Sequence, residues 1–237
     1  MTDQPTSTLH GETSPDATTL GDLVTANPTA AQVLQRHGLD FCCGGRSTLA
    51  EACQKADVDS AVVLAELAKL SAHDGAGWTT MGPAELVDHI EAAHHAYLWD
   101  ELPSLEQLAN KVATVHGQNH PELVEMARLV AALRADLEPH LKREERALFP
   151  MIRQLLGGAE FTGADLERGP IACMLIEHEA AGDLLAELRR VTDNYTVPAD
   201  GCASYHNLFQ RLETIEEDTH LHIHKENNVL FPAVVAV

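Results

Sequence analysis

The chain has 237 residues and a formal net charge of −20, from 36 acidic and 16 basic residues. Such an acidic surface repels nucleic acid and anionic membranes, so neither is expected as a partner. An apolar content of 45% with only 4% aromatic residues is typical of a helical protein built on Ala, Leu and Val.

The N-terminal segment 1–18 is polar and rich in Thr, Ser, Pro and Asp, which predicts a disordered lead. It lacks the basic and apolar regions of a signal peptide, and no apolar run in the chain is long enough to span a bilayer. The five cysteines are an odd number and two of them are adjacent, which argues against a disulfide framework. We therefore expect a cytoplasmic protein with reduced thiols.

Residues 19–72 are expected to form a small helical domain, interrupted by the segment Cys42-Cys43-Gly44-Gly45. The two glycines predict an exposed turn that carries both thiols, and the helix that starts just downstream could lower a thiol pKa. Adjacent cysteines rarely bond to each other, because a disulfide does not fit an ordinary trans peptide. Cys42 and Cys43 are therefore candidates for metal or nitrosyl coordination or for thiol exchange. The alternative is two small buried hydrophobic side chains beside a turn.

A short linker, 73–80, precedes four long helical stretches. They are predicted at about 83–115, 121–156, 170–193 and 203–237. Ordinary loops between four such helices predict an up-and-down four-helix bundle over residues 81–237. Bundles of this kind often hold metal sites between facing helices.

The pattern H-x-x-x-E-x-x-x-x-F-P occurs twice, and the copies lie 82 residues apart. Residues four apart share one face of a helix, so each copy presents an imidazole and a carboxylate together. Both pairs interrupt an apolar stripe, where a carboxylate is unfavourable unless it is paired or bound to metal. An inward His–Glu hydrogen bond on each helix is the alternative, but two copies in register favour a shared metal site. The candidates are His140, Glu144, His222 and Glu226.

Two further histidines complete the candidate set. His178 is the one polar member of an apolar stripe on the third helix. On the first helix, the apolar period points to His94. The internal repeat points instead to His95, because His178 follows His95 by 83 residues, close to the spacing of the two motifs. The repeat favours His95, and the two halves resemble a duplicated helix pair.

Four histidines and two glutamates suit two metal ions. Imidazole and carboxylate favour Fe, Mn, Cu or Zn, and the absence of inward thiolates argues against a structural zinc site. If both glutamates bridge, each ion has two histidines, shared carboxylate oxygens and a solvent-derived oxo or hydroxo bridge, with a position left for O2 or NO. Iron combines this ligand set with diatomic and redox chemistry, so a pair of non-haem Fe ions is expected.

These residues together resemble the repair-of-iron-centres di-iron proteins, which have a small ScdA-type N-terminal domain and a hemerythrin-like bundle. The resemblance rests on the Cys-Cys-Gly-Gly segment, His95, the two motif copies and Glu177-His178, and it covers about residues 19–235. It implies an all-α fold and iron ligation by His95, His140, Glu144, His178, His222 and Glu226. It also implies that Cys42 and Cys43 assist at the di-iron site or in transfer to a client.

The departures from the family pattern are modest. The polar lead is additional, and Asp136 stands one turn before His140, where the family often has Glu. Asp136 puts in doubt any proton or iron route that needs a longer carboxylate. His220 and His224 are additional histidines near the predicted site.

The resemblance implies that the protein repairs iron–sulfur clusters damaged by nitric oxide or oxidative stress by donating iron. It would then be an iron donor rather than a turnover enzyme, with damaged iron–sulfur proteins as clients and NO or O2 as small ligands. One alternative is a hemerythrin-like sensor or carrier of O2 or NO. Another is a di-iron nitric oxide reductase. The expected assembly is a monomer or a homodimer.

Overall fold

The computed structural model describes residues 17–71 and 77–237. Across these ranges the chain is helical, with one isolated β-bridge between Thr19 and Thr48, so the predicted all-α fold is confirmed. Except for residues 17 and 18, the predicted lead 1–18 lies outside the described residues, as do residues 73–76 of the predicted linker. No helix within the described ranges is long and apolar enough to cross a membrane.

Four short helices form the N-terminal part. They are α1 (Leu20–Ala26), α2 (Ala30–Arg36), α3 (Leu49–Ala56) and α4 (Ser60–Leu67). Thr48 and Glu51 form a capping box at the start of α3, and the Asp59 side chain caps α4. The turn that carries the adjacent cysteines therefore lies between α2 and a firmly capped α3.

Four long helices follow, and each contains a five-residue π-helical segment. Helix A is α5 (Pro83–Ile90), a π segment (Glu91–His95) and α6 (Ala96–His116); helix B is α7 (Glu122–Arg143), a π segment (Glu144–Leu148) and α8 (Phe149–Leu156); helix C is α9 (Gly163–Leu166), a π segment (Glu167–Ile171) and α10 (Ala172–Val191); helix D is α11 (Ala203–Lys225), a π segment (Glu226–Leu230) and α12 (Phe231–Val235). Each helix packs against the next, and D packs against A, which closes an up-and-down bundle.

The start of helix A is preceded by a 3₁₀ turn, Gly77–Thr80. Its Trp78 is only 5% exposed and packs with the apolar side chains of α5 and α8. The C-terminal end of the predicted linker is therefore packed against the bundle.

The buried apolar side chains form two clusters with a polar layer between them. One cluster joins the N-terminal helices to α6, α7, α10 and α11, and the other joins α5, α8 and α12. On helix B, Leu141 belongs to the first cluster and Leu148 to the second, with Glu144 between them. The predicted metal site thus falls where the bundle passes from one apolar cluster to the other.

Candidate metal centre

The six side chains predicted as metal ligands lie together in this polar layer, and each residue is at most 3% exposed. They form two groups, and within each group the candidate donor atoms lie within 4.8 Å of one another. The first group contains His95 and His222, the second contains His140 and His178, and both contain Glu144 and Glu226. The structure brings together the whole predicted set, while the assignment of these residues as ligands stays a prediction.

The two glutamates stand between the histidine pairs. Oε2 of Glu144 lies 3.4 Å from Nε2 of His95 and 3.3 Å from Nε2 of His140. Oε1 of Glu226 lies 3.4 Å from Nε2 of His222, and its Oε2 lies 3.1 Å from Nε2 of His178. Within each histidine pair the two Nε2 atoms are 3.2 Å apart. Four imidazole nitrogens and the oxygens of two carboxylates therefore face one another across a small volume.

This donor set fits a pair of cations. Both glutamates are fully buried, and none of their four oxygens accepts a hydrogen bond within the described part of the chain. A buried carboxylate without such partners is strongly unfavourable unless a cation balances it. Oxygen and imidazole donors suit the divalent transition metals, and the two shared glutamates, Glu144 and Glu226, would place two ions side by side.

Buried charges in the layer shift the pKa of its side chains. Burial favours the neutral form of Glu226, but His222 and His178 outweigh it and hold its pKa well below the usual range. Burial also favours neutral His178, but the Glu226 carboxylate outweighs it and raises its pKa to about 9. For His222 burial prevails and lowers the pKa. Without metal, protons on the neighbouring imidazoles thus balance the carboxylates of this layer. Bound metal ions would take the place of these protons.

The F-P end of each motif coincides with a π segment. The N–H of Phe149 donates to the carbonyl of Glu144, five residues earlier, and Pro150, which follows, has no N–H to give. Phe231 and Glu226 repeat this pattern on helix D. Single π turns inside α-helices often occur at functional sites. These segments were not predicted from the sequence, although the proline after the phenylalanine is a signal for them.

The π segment of helix A shifts the helical register, so a regular apolar period does not predict which of His94 and His95 reaches the candidate ligands. Both residues lie within the segment and both are buried, at 3% and 1% exposure. His95 belongs to the six candidate ligands, which are called the metal cluster from here on. His94 lies behind it, with Nδ1 2.8 Å from Asp218 and Nε2 2.6 Å from the buried Lys225 ammonium. The internal repeat thus selected the histidine that reaches the cluster, whereas the apolar period did not.

Three of the four clustered histidines have a hydrogen-bond acceptor at Nδ1, the ring nitrogen that points away from the other candidate ligands; this acceptor is called the outer partner or outer acceptor below. His140 lies 2.7 Å from Glu177, His178 lies 2.8 Å from Oδ1 of Asn227, and His95 lies 3.1 Å from Glu145. An acceptor at Nδ1 places the proton there and leaves Nε2 as the lone-pair donor, as is usual for metal-bound histidines. None of these three acceptors was predicted in this role from the sequence.

A cleft of about 360 Å³ between helices B, C and D reaches the centre from solvent. Its lining includes the acidic residues Asp136 and Glu177. It also includes three of the candidate ligands, His140, His178 and His222. Asp136 therefore lines the same cleft as three of the candidate ligands.

The cysteine turn differs from its expected form. Cys42 is only 4% exposed, and its thiol lies 3.3 Å from Oδ1 of Asp40 and 3.8 Å from the sulfur of Cys43. The hydrogen bond with Cys43, burial and the Asp40 carboxylate all raise the pKa of the Cys42 thiol. The expectation of two exposed thiols with a lowered pKa is therefore wrong for Cys42. Asp40, Cys42 and Cys43 nevertheless form a third group that could hold a cation.

A second cleft, of about 550 Å³, lies beside the cysteine turn and is lined by Glu179, Asp183 and His220 as well as by the two cysteines. His220 contributes to this cleft rather than to the metal cluster. His224 also stays outside the cluster, where burial lowers its pKa to about 4. The two clefts open on different sides of α10.

Two asparagines that follow Glu226 hold the cysteine turn on helix D. Asn228 donates to the carbonyl of Cys42 at 3.0 Å, and Asn227 donates to the same oxygen at 3.3 Å. Asn227 also accepts from His178, so one side chain joins the cysteine turn to the metal cluster. Gly45 permits this contact, because a Cβ there would clash with the Asn228 side chain. This glycine serves close approach and does not adopt a positive φ.

Comparison with known proteins agrees with this geometry. The hemerythrin HHE cation binding domain family matches residues 86–234, and a domain of unknown function (DUF542, ScdA_N) matches residues 16–71. The chain is 35% identical over 218 residues to the iron–sulfur cluster repair protein YtfE of Enterobacter sp. (strain 638), with 92% of this chain and 96% of the relative covered. The YtfE proteins of Escherichia coli O157:H7 and Shigella boydii serotype 4 (strain Sb227) are 35% and 34% identical over the same shares. The chain therefore belongs to the YtfE family, with its hemerythrin HHE cation binding domain, as the resemblance predicted.

Proposed function

We propose that this protein holds two iron ions in the polar layer of the bundle and supplies iron to iron–sulfur clusters damaged by nitric oxide or oxidants. The observation that carries the proposal is the pair of buried glutamates, Glu144 and Glu226, which lie between two histidine pairs and lack hydrogen-bond donors in the described structure. The name of the relatives, iron–sulfur cluster repair protein, supports the class of client.

In this proposal His95 and His222 hold one ion, His140 and His178 hold the other, and the two glutamates are shared. Bound iron supplies a redox-active Lewis acid. Because each glutamate has two oxygens, the shared carboxylates can keep one ion in place while the other leaves. The cleft that contains Asp136 gives that ion, or a diatomic ligand, a path to solvent.

Cys42 and Cys43 are proposed as relay thiols between the bundle and a client. The raised pKa of Cys42 keeps its thiol protonated in the resting protein, and metal coordination displaces such a proton. The thiols and the metal centre open into different clefts. Transfer to the thiols therefore requires the turn to leave its contacts with Asn227 and Asn228. We place this thiol-bearing domain at 19–72, the linker at 73–80 and the bundle at 81–237.

The test is stoichiometric iron transfer. Protein purified anaerobically with its iron is mixed with a client whose [4Fe–4S] cluster has been damaged by nitric oxide, and iron loss and cluster recovery are measured together. Donation predicts that each cluster restored corresponds to iron lost from this protein. A Cys42→Ala/Cys43→Ala variant that repairs the client as fast as the wild type would exclude the relay.

The same measurements separate the alternatives. Reversible changes in the optical spectrum on addition of O2 or NO, without iron loss, would identify a sensor or carrier. Catalytic formation of N2O would identify a nitric oxide reductase. Either result in the absence of iron transfer contradicts donation.

A further inference from the structure

The two halves of the bundle have the same arrangement of residues around the metal cluster. His95 corresponds to His178, and His140 corresponds to His222, with intervals of 83 and 82 residues. The residue after each shared glutamate also has a matching role. Glu145 accepts from His95, and Asn227 accepts from His178. The bundle therefore has a pseudo-twofold relation between its two histidine pairs.

One outer contact breaks this relation. Nδ1 of His140 has Glu177 as its partner, 2.7 Å away. Nδ1 of His222, at the corresponding place, is buried and has no hydrogen-bond partner among the described residues. His222 is thus the one clustered histidine without an outer acceptor.

The cause lies in the residue before the first histidine of each half. Glu177 precedes His178, whereas His94 precedes His95. The ring of His94 stacks on that of His222, with centroids 5.4 Å apart and planes 7° apart. Both nitrogens of His94 are engaged, by Asp218 at 2.8 Å and by Lys225 at 2.6 Å. His94 therefore covers the ring of His222 but offers no acceptor to its Nδ1.

An outer acceptor increases the basicity of a metal-bound imidazole and fixes its orientation, and losing one typically costs 10–100-fold in metal affinity. We propose that the two cation positions are unequal and that the ion held by His95 and His222 leaves first. This inference rests on the proposed function, because it identifies the ion that is donated. His222 lines the cleft to solvent together with His140 and His178, so both positions border the same exit and the outer contacts set the order of release.

The first experiment needs no variant. Protein loaded anaerobically with Fe(II) is challenged with an excess of a ferrous chelator, and the iron retained per chain is followed over time. Unequal positions predict two phases of equal amplitude, whose rates differ by about 10-fold or more. A single phase that removes all the iron would overturn the proposal.

A matched pair of variants assigns the phases. His222→Ala is expected to retain one ion per chain, and that ion should leave at the slow rate. His140→Ala, at the corresponding place in the other half, is expected to retain one ion that leaves at the fast rate. The reverse assignment contradicts the inference.

Glu177→Ala provides a test that leaves every clustered residue in place. The Glu177 carboxylate is partly exposed, so the variant should still fold. The substitution removes the acceptor at Nδ1 of His140. The slow phase should accelerate 10–100-fold while the fast phase stays unchanged. An unchanged slow phase would argue against unequal outer contacts as the cause.

Chelation involves no client, so the two proposals can fail separately. Two phases without iron transfer to a damaged cluster would refute donation and leave the inequality standing. A single phase with efficient transfer would refute the inequality and leave donation standing.

Discussion

Glu144 is a buried carboxylate beside the imidazoles of His95 and His140, so its replacement should have an effect both with and without metal. Glu144→Gln breaks this buried pairing in the metal-free protein, and we expect the free energy of unfolding to fall by about 3–5 kcal/mol. In the loaded protein the same change removes a shared anionic ligand, so the bound metal per chain should fall. Denaturant unfolding of both forms, together with metal analysis, measures these effects.

The control for this variant is Glu187→Gln, on an exposed carboxylate that pairs with Arg190. It is expected to change the free energy of unfolding by no more than about 0.5 kcal/mol in either form. If Glu144→Gln changed neither the free energy of unfolding of the metal-free protein nor the bound metal per chain, Glu144 would be neither an imidazole partner nor a metal ligand.

The five cysteines should differ widely in reactivity. A backbone N–H at Tyr205 and the His116 imidazole lower the pKa of the exposed Cys202 thiol to about 7, whereas the pKa of the buried Cys42 thiol is raised. Because the thiolate is the nucleophile, alkylation at pH 7 should label Cys202 first and the buried Cys42 much later. Peptide mass spectrometry after timed alkylation measures the order. His116→Ala should slow labelling of Cys202 and leave Cys42 unaffected; early labelling of Cys42 would contradict its burial.

At the residue scale, the sequence predicted which side chains come together, because a histidine and a glutamate four residues apart on a helix must share a face. The repeat spacing also distinguished His95 from His94. For Cys42 the sequence allowed both an exposed turn and a buried side chain beside a turn, and the choice between them depends on tertiary contacts. The unpartnered Nδ1 of His222 likewise depends on how His94 stacks, which no residue pattern specifies.

The π segments are the feature that matters at the scale of the helix. Pro150 cannot donate to the carbonyl of Arg146, which favours the longer bond from Phe149 to Glu144. Pro150→Ala restores a donor and should allow helix B to revert toward an α-helical register. We expect the variant to retain metal less well against a chelator. We also expect the free energy of unfolding to fall by about 0.4–1 kcal/mol, because the unfolded chain gains conformational entropy when the proline is removed.

Pro121→Ala is the matched control, since Pro121 lies at the start of α7, far along the helix from Glu144. It should lower the free energy of unfolding by a similar amount without changing metal retention. Equal metal retention in both variants would show that the proline does not set the π segment.

Helices A, B and D could be predicted within a few residues, because their apolar stripes are long and regular. Helix C was expected from about 170 and begins at Gly163, so the predicted loop before it was too long. Helix B was expected at about 121–156 and runs from Glu122 to Leu156. The periodic pattern assumes 3.6 residues per turn throughout, so it could not show that each helix changes its register once, next to the metal layer in helices A, B and D.

At the scale of the whole molecule, the arrangement of the N-terminal helices on the bundle could not be predicted. The contact uses the backbone carbonyls of Phe41 and Cys42, a group that every residue type has. The asparagines that donate to these carbonyls resemble ordinary surface residues in the sequence. The glycines of the cysteine segment were noticed as turn residues. Their role in close packing against Asn228 needed the tertiary structure.

Gly45 therefore offers a way to separate the two parts of the molecule without touching the metal cluster. In Gly45→Ala the new Cβ would clash with Asn228 and lie 2.6 Å from the carbonyl oxygen of Phe41, so the turn must move away from helix D. Because this contact holds the backbone of Cys42 against helix D, a displaced turn should expose the thiol, so its alkylation at pH 7 should become faster while the metal content stays the same. Gly182→Ala, in α10 beside the same cleft, adds a Cβ that meets nothing within 4 Å and should leave Cys42 protected. If Gly45→Ala also emptied the metal centre, docking of the cysteine turn would be a requirement for metal binding, and the relay would have to act on the docked form.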